Sequence, residues 1–335
     1  MAQNYIGGGS SVALYAFEDM NGWTKVPASH TASDETYMPF GQGVEVTITR
    51  NNNAERVYGV GSRNATATVN KQYDGKFSVN GVLSNAYWLL GVLGANSDGG
   101  TTGAYTHTYT EANILPSFTI KPSFELGTTD FISELVGCVI NECTISAAIN
   151  EALKFSLNGT YRYENLSTTA ISDNPDVEPC FTFAHGSIEL PDGTDIAAVQ
   201  NFELTITENA EPVYGIGSRF MTGVVAKSRE YNFTMTAAFN DYTTLLTRFM
   251  NGTAVATAPS DGSGTEIATL ELTFTNDDGD ILDINLTGVH INEHTLPQNV
   301  NELMKEDVTG WARACTNIIY TNDVQTAPAA ATNIA

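Results

Sequence analysis

The string His290-Ile291-Asn292-Glu293-His294 carries the residue types of a zinc protease, two imidazoles and a carboxylate in H-x-x-E-H order. Zinc chemistry with that spacing requires a helix, because only there do residues i and i+4 converge on one metal. Here the string follows the alternating segment 281–286 and precedes Pro297, which predicts a strand. Four residues along a strand separate the imidazoles by roughly 13 Å, too far to share an ion. Asn276-Asp277-Asp278-Gly279-Asp280 crowds three carboxylates around a glycine without the ligand spacing of an EF-hand, and a hairpin joining residues 270–274 to 281–286 accounts for the same residues. Gly59-Val60-Gly61-Ser62-Arg63 and Gly215-Ile216-Gly217-Ser218-Arg219 imitate dinucleotide-binding glycines, but Asn64 and Phe220 hold the third glycine position and no helix pattern follows. They predict turns or bulges between paired strands, with Tyr58, Gly59, Gly61 and Arg63, and again Tyr214, Gly215, Gly217 and Arg219, as turn or interface candidates. No Ser-His-Asp, Cys-His or carboxylate-pair arrangement can be assigned, and Ile6-Gly7-Gly8-Gly9-Ser10-Ser11 lacks the Gly-Lys-Ser/Thr of a phosphate loop. The expectation is a non-enzymatic protein with no catalytic residue, cofactor or metal site.

The elements that must position these strings are themselves repeated. AERVYGVGSR at residues 54–63 returns as AEPVYGIGSR at 210–219, a spacing of 156 residues. Upstream, Glu45-Val46-Thr47-Ile48-Thr49 answers Glu203-Leu204-Thr205-Ile206-Thr207, the first copy carrying two extra asparagines in between. Downstream, Leu89-Leu90 answers Leu245-Leu246, and Ile140-Asn141-Glu142 answers Ile291-Asn292-Glu293 at a spacing of 151. The later spacing also pairs Gly137 with Gly288, Thr144 with Thr295 and Gly159 with Gly310. Two copies of one unit in one order make up most of the chain.

The 335 residues suffice for two units of roughly 150 residues, each with a core of its own. Hydrophobic content of 42% with 16% charged residues belongs to a folded protein. The charge is lopsided, 38 acidic against 15 basic residues for a net of −23, so the field of the protein repels phosphate and argues against tight nucleic-acid binding. The opening MAQNYIGGGSSVALYAF has neither a basic leader nor an apolar core of signal-peptide length, and no run of 18 apolar residues occurs, which predicts folding in a cytoplasm and no membrane partner. On that expectation Cys138, Cys143, Cys180 and Cys315 are free thiols.

Alternation at residues 44–49, 76–80, 117–120, 153–157, 202–206 and 270–274 predicts half-buried strands, with turn chemistry at Asp74-Gly75, Asn80-Gly81 and Asp192-Gly193. One short helix per copy breaks the pattern, residues 86–93 capped by Ser84 or Asn85, and residues 242–250 capped by Asn240 or Asp241. The glycine-rich polar stretches 95–103 and 253–264 predict protruding loops. The aperiodic segment 167–178 predicts the junction, so the expected division is a first unit at 1–168 with an N-terminal arm, a second at 169–324, and a flexible tail at 325–335. The predicted class is mainly β, two repeated antiparallel β-sandwich or barrel-like domains with one short helix each. A chain so poor in chemistry suits assembly through sheet edges and arms.

Several runs carry a family resemblance: Tyr5 to Trp23 (YIGGGSSVALYAFEDMNGW), Tyr105 to Ile120 (YTHTYTEANILPSFTI), GCVINECTIS from Gly137, and Phe181 through Arg219. With them the chain resembles the tail tube proteins of tailed bacterial and archaeal viruses over nearly its whole length. The resemblance implies a structural virion protein, located in the tail and assembled in the host cytoplasm, whose sheets join into a ring-shaped β-barrel and whose rings stack head to tail around a channel for viral DNA. It implies as partners further copies of the chain, the tape-measure, tail terminator and tail tip or baseplate proteins, and DNA that passes without specific binding. Duplication of the unit leads to the expectation of a trimeric ring with pseudo-six-fold symmetry, a ring of six chains being the alternative, and the acidic balance to that of an acidic lumen, with acids facing outward for solubility or high-salt adaptation as the alternative. A two-domain β-rich adhesin or surface-layer protein is the alternative function, and a carbohydrate-active enzyme using scattered carboxylates is a third class.

Overall fold

The computed structural model describes residues 11–18, 37–124, 131–168, 178–190, 196, 199–239, 245–251, 258–259, 266–298 and 303–324. The strands of the first copy are β1 (Ser11–Phe17), β2 (Met38–Pro39), β3 (Gln42–Asn51), β4 (Glu55–Tyr58), β5 (Ala65–Val69), β6 (Asp74–Val82), β7 (Gly94–Thr101), β8 (Ala104–Glu111), β9 (Phe118–Phe124), β10 (Phe131–Ala148), β11 (Lys154–Tyr161) and β12 (Tyr163–Ser167), with helix α1 (Leu90–Leu93) between β6 and β7. The second copy supplies β13 (Gly186–Glu189), β14 (Val199–Thr207), β15 (Glu211–Tyr214), β16 (Met221–Val225), β17 (Glu230–Ala238), helix α2 (Leu245–Asn251), β18 (Ile267–Thr275), β19 (Ile281–Thr295) and β20 (Lys305–Asn322). The chain is mainly β, as its alternating pattern predicts, and every one of the six alternating segments lies in a strand or begins at its edge.

The strands correspond between copies. Strand β3 answers β14, the β4–β5 hairpin answers β15–β16, β6 answers β17, β10 answers β19, and β11 with β12 answers β20. They run side by side in the order β18-β19-β20-β17-β14-β10-β11-β6-β3, and β14 of the second copy pairs antiparallel with β10 of the first, Glu142 opposite Thr207 through Ala148 opposite Asn201. Within this run one face is polar, with Glu45, Thr47, Asn80, Asn158, Glu203, Asn232 and Thr234. The other is apolar, and Val79, Leu157, Leu204 and Phe233 pack into the core. That division is what period-two patterning demands of a sheet wet on one side.

Two glycines bend two of the three longest strands, β10 and β19. In β10, Gly137 takes φ 69°, and the strand turns there from pairing with β9 and β12 to pairing with β11 and β14. In β19 its counterpart Gly288 takes φ 63°. A side chain at either position would be strained in that left-handed backbone and would also crowd Arg162 or Arg313. A β-bulge follows each glycine, at Ile140/Glu142 and Ile291/Glu293. The bend places two sheet layers face to face, and α1 with its preceding 3-10 turn (Tyr87–Leu89) fills the space between them: the Trp88 ring packs tilted against Phe155 at 5.0 Å, and Gly91 abuts Ile140, Phe17 and Phe118. Buried Glu18 fixes the end of β1 to the bend, accepting hydrogen bonds from Ser117 Oγ, Thr119 Oγ1 and the Gly137 N–H.

Four expectations are corrected, the first being the turns at Asp74-Gly75 and Asn80-Gly81, which both lie within β6. Residues 95–103 are not a protruding loop: most of them form β7, and its partner β8 pairs onward with β20 of the second copy, Tyr109 opposite Ile318. Neither Ser84 nor Asn85 caps the first helix. Its turn starts at Ala86 without a side-chain cap, and Asn85 instead donates Nδ2–H to the Pro39 carbonyl. Nor does each copy bury a separate core, since one continuous cluster runs from Tyr15 to Tyr320 through both. The N-terminal arm before Ser11, the junction 169–177, the caps Asn240 and Asp241, nearly all of 253–264 and the tail 325–335 lie outside the described residues.

Candidate assembly interface

The two glycine-bearing strings are hairpin tips of the same construction. In each, the serine N–H donates to the carbonyl of the first glycine, Ser62 to Gly59 and Ser218 to Gly215, and the serine Oγ bridges the backbone two residues on. Gly61 and Gly217 hold φ of 86° and 100°, where L side chains are strained. Thr66 and Thr222 donate Oγ1–H to Val57 and Val213, and both hairpins slip register at the tyrosine, between Val57 and Tyr58 and between Val213 and Tyr214. At the bases Lys71 pairs with Glu55 and Lys227 with Glu211. The tip residues Val60 and Ile216 are fully exposed.

Their surroundings differ. The second hairpin rests on the first copy: Arg219 donates Nε–H to the Lys71 carbonyl (2.9 Å) and Nη2–H to Asn52 Oδ1 (2.9 Å), and the Tyr73 N–H donates to the Arg219 carbonyl. The Tyr214 hydroxyl donates to the Tyr73 carbonyl, and Phe220 sits edge-on to Tyr73 at 5.7 Å and Tyr163 at 6.2 Å. Arg162 donates to the Met221 carbonyl. The bulge in β10 adds Asn141, whose Oδ1 accepts the Ala210 N–H and whose carbonyl accepts the Glu208 N–H. The Thr144 and Thr205 hydroxyls meet at 3.2 Å across the β10–β14 ladder. This is the joint between the copies; it includes Tyr214 and Arg219 from the turn or interface candidates, and also Asn141 and Arg162, which sequence reasoning did not name as candidates. The signal for Asn141 was present, since Ile-Asn-Glu is repeated, but a bulge is invisible without the strand pairing that defines it.

Arg229 makes a second polar contact between the copies. Arg229 donates Nε–H to Glu208 Oε1 at 2.6 Å and reaches the Leu93 and Ala112 carbonyls of the first copy. Burial pushes the Glu208 carboxyl up, against the opposing pull of Arg229. Nearby, Glu111 accepts from the Tyr231 hydroxyl and the Cys315 N–H, and burial, joined by that acceptor, pushes the Tyr231 phenol up as well. Burial with the neighbouring Glu111 carboxylate raises the Cys315 thiol to about 12, so it is a packing group and not a nucleophile. Cys138, Cys143 and Cys315 are free thiols.

The remaining strings are structural. His290 to His294 lies on β19, where His290 stacks on Trp311 at 4.4 Å and His294 pairs with Glu306 at 2.9 Å, so the two imidazoles serve different neighbours. Asn276 to Asp280 is the hairpin turn between β18 and β19, with Asn276 Oδ1 accepting the Asp278 and Asp280 N–H groups. Among the described residues no helix is long and apolar enough to cross a membrane.

No curated protein matches the chain. A family model described as phage tail tube protein matches residues 10–310, which include every element of the joint. The chain therefore belongs to the phage tail tube family, a structural and non-enzymatic family of the virion tail, as its sequence resemblance implies.

Proposed function

We propose that this chain self-assembles into stacked rings that form the hollow tail tube through which viral DNA reaches the host. The observation that carries this is the open run of antiparallel strands from β19 to β3, polar on one face and joined between copies by strand pairing. Repeated around an axis, such a run closes into a ring-shaped β-barrel and leaves no edge exposed. Each chain contributes two units, 1–168 and 169–324, so three chains make a ring of pseudo-six-fold symmetry. The polar face then lines the lumen. Three chains at −23 each bring a formal −69 to a ring (3 × −23), and carboxylates such as Glu45 and Glu203 on that face repel phosphate and keep DNA from adhering.

The exposed Val60 and Ile216 tips supply apolar contacts between stacked rings, a head-to-tail relation that leaves tube length to the tape-measure protein and ends to the terminator and the tip or baseplate. Assembly takes place in the host cytoplasm. Negative-stain electron microscopy of the purified chain before and after concentration tests the proposal. Striated tubes or rings are expected; compact monomers at every concentration would contradict it.

A further inference from the structure

Half of the joint between the copies exists a second time with no strand against it among the described residues. In β14, Phe202, Leu204 and Ile206 are buried, whereas their counterparts Val44, Val46 and Ile48 in β3 are only half-buried, because β3 ends the sheet among the described residues. On the opposite side β10 gives its residues from Glu142 onward to β14. Past the equivalent bulge β19 runs on to Thr295, but its ladder with β18 stops at Val289, so Glu293, His294 and Thr295 have no strand on that side among the described residues. The side chains repeat the pattern. Asn141 accepts the Ala210 N–H, while Asn292 is exposed and makes no hydrogen bond among the described residues; Arg219 makes two side-chain bonds, while exposed Arg63 makes none there.

We propose that β3 and the first hairpin of one chain dock on the β19 edge of a second copy, so that the contact between chains reproduces the joint within the chain residue for residue. The inference rests on the ring assembly proposed above. The in-chain register, Glu142 opposite Thr207, Cys143 opposite Ile206 and Thr144 opposite Thr205, carries over to Glu293, His294 and Thr295 opposite Thr49, Ile48 and Thr47 of the neighbour. Both threonine positions keep threonine, so the hydroxyl contact recurs. Asn292 accepts the neighbour's Ala54 N–H, and Arg63 donates to the neighbour's Lys227 carbonyl as Arg219 does to Lys71. The copied joint is the weaker one. Pro297 has no N–H and β19 ends at Thr295, so the ladder is shorter, and Asn52, which receives Arg219, lies in the two-residue insertion that the second copy lacks. A contact made after folding is thus built from the same parts as the contact made during folding, with fewer of them.

Cysteine pairing reads the register directly, because a 3.2 Å hydroxyl contact between opposed residues sets Cβ atoms within disulfide reach. In the full chain carrying Cys180→Ser, Thr47→Cys with Thr295→Cys is expected to give covalent species that close at three chains on oxidation of assembled material. Neither single variant, nor Thr47→Cys with Glu271→Cys on β18, should cross-link. Rings seen by electron microscopy without the Thr47–Thr295 cross-link would overturn the register and leave ring assembly standing; absence of both rings and cross-link would overturn both. Arg63→Ala is expected to keep the melting temperature of the monomer and raise the concentration needed for assembly about tenfold, while Arg219→Ala lowers the melting temperature itself. Assembly of Arg63→Ala at the wild-type concentration would overturn the hairpin contact.

Discussion

Strand β3 and strand β14 are one sequence pattern in two surroundings. Both contain Glu-(Val/Leu)-Thr-Ile-Thr, both alternate polar and apolar residues, and both lead into hairpins with the same internal hydrogen bonds. Strand β14 is covered on both edges and its apolar residues are buried; among the described residues β3 is covered on one edge, and its apolar residues stay half-exposed. The difference teaches that the local sequence sets the strand and its hairpin, while burial is set by what lies next to it. A lone β3 edge is a liability in a soluble protein and an asset in a subunit.

The largest effect that sharpens this comparison is at the matched core positions. Leu204→Ala, at a fully buried site, should cost the monomer about 2–5 kcal/mol, whereas Val46→Ala at its half-buried counterpart should cost about 1 kcal/mol. Urea unfolding of both variants checks this, and equal losses would mean that β3 is as enclosed as β14.

Next come two glycines that should behave alike. A Cβ at Gly159 would collide with the Val139 carbonyl and the Phe77 ring, and one at Gly310 with the His290 carbonyl and the Phe233 ring, which are the same contacts in the two copies. Gly159→Ala and Gly310→Ala should each lose about 1–3 kcal/mol. A large loss in one and none in the other would break the equivalence of the copies.

The smallest effect is ionic and confined to the first copy. Arg50 clasps Glu164, which also accepts from Ser133. Burial works against ionisation of Glu164, but those hydrogen bonds outweigh it and hold the carboxyl below its ordinary value. A depressed folded value stabilises the protein above the unfolded carboxyl value, and that stabilisation is lost as pH falls through the folded value. Arg50 is part-exposed, so Arg50→Met should cost only about 0.2–1 kcal/mol at neutral pH, with the gap in melting temperature closing as the solution is acidified below the ordinary carboxylate range. A gap that widens on acidification would reverse the sign of the argument.

Much of this was legible in the sequence because repetition and period-two patterning are local. The spacing of Gly137 and Gly288 marked them as equivalent positions of the repeat, though not as bends, and the turn at Asn276 followed from the strands flanking it. What was not legible depends on partners far along the chain. The stretch 95–103 is poor in strand-forming residues and becomes a strand because β8, its partner, is itself held by β20 more than 200 residues away. Glu18 looks like any surface acid until the Gly137 N–H and two hydroxyls converge on it. Arg229 likewise gains its role from carbonyls at Leu93 and Ala112.

Symmetry-resolved electron cryo-microscopy of assembled material is the most direct test that the contact between chains copies the joint within the chain. Three chains per ring, with β3 of each paired to β19 of its neighbour and Thr47 opposite Thr295, is the predicted result. Six whole chains per ring, or rings in which the β3 and β19 edges stay open, would contradict it.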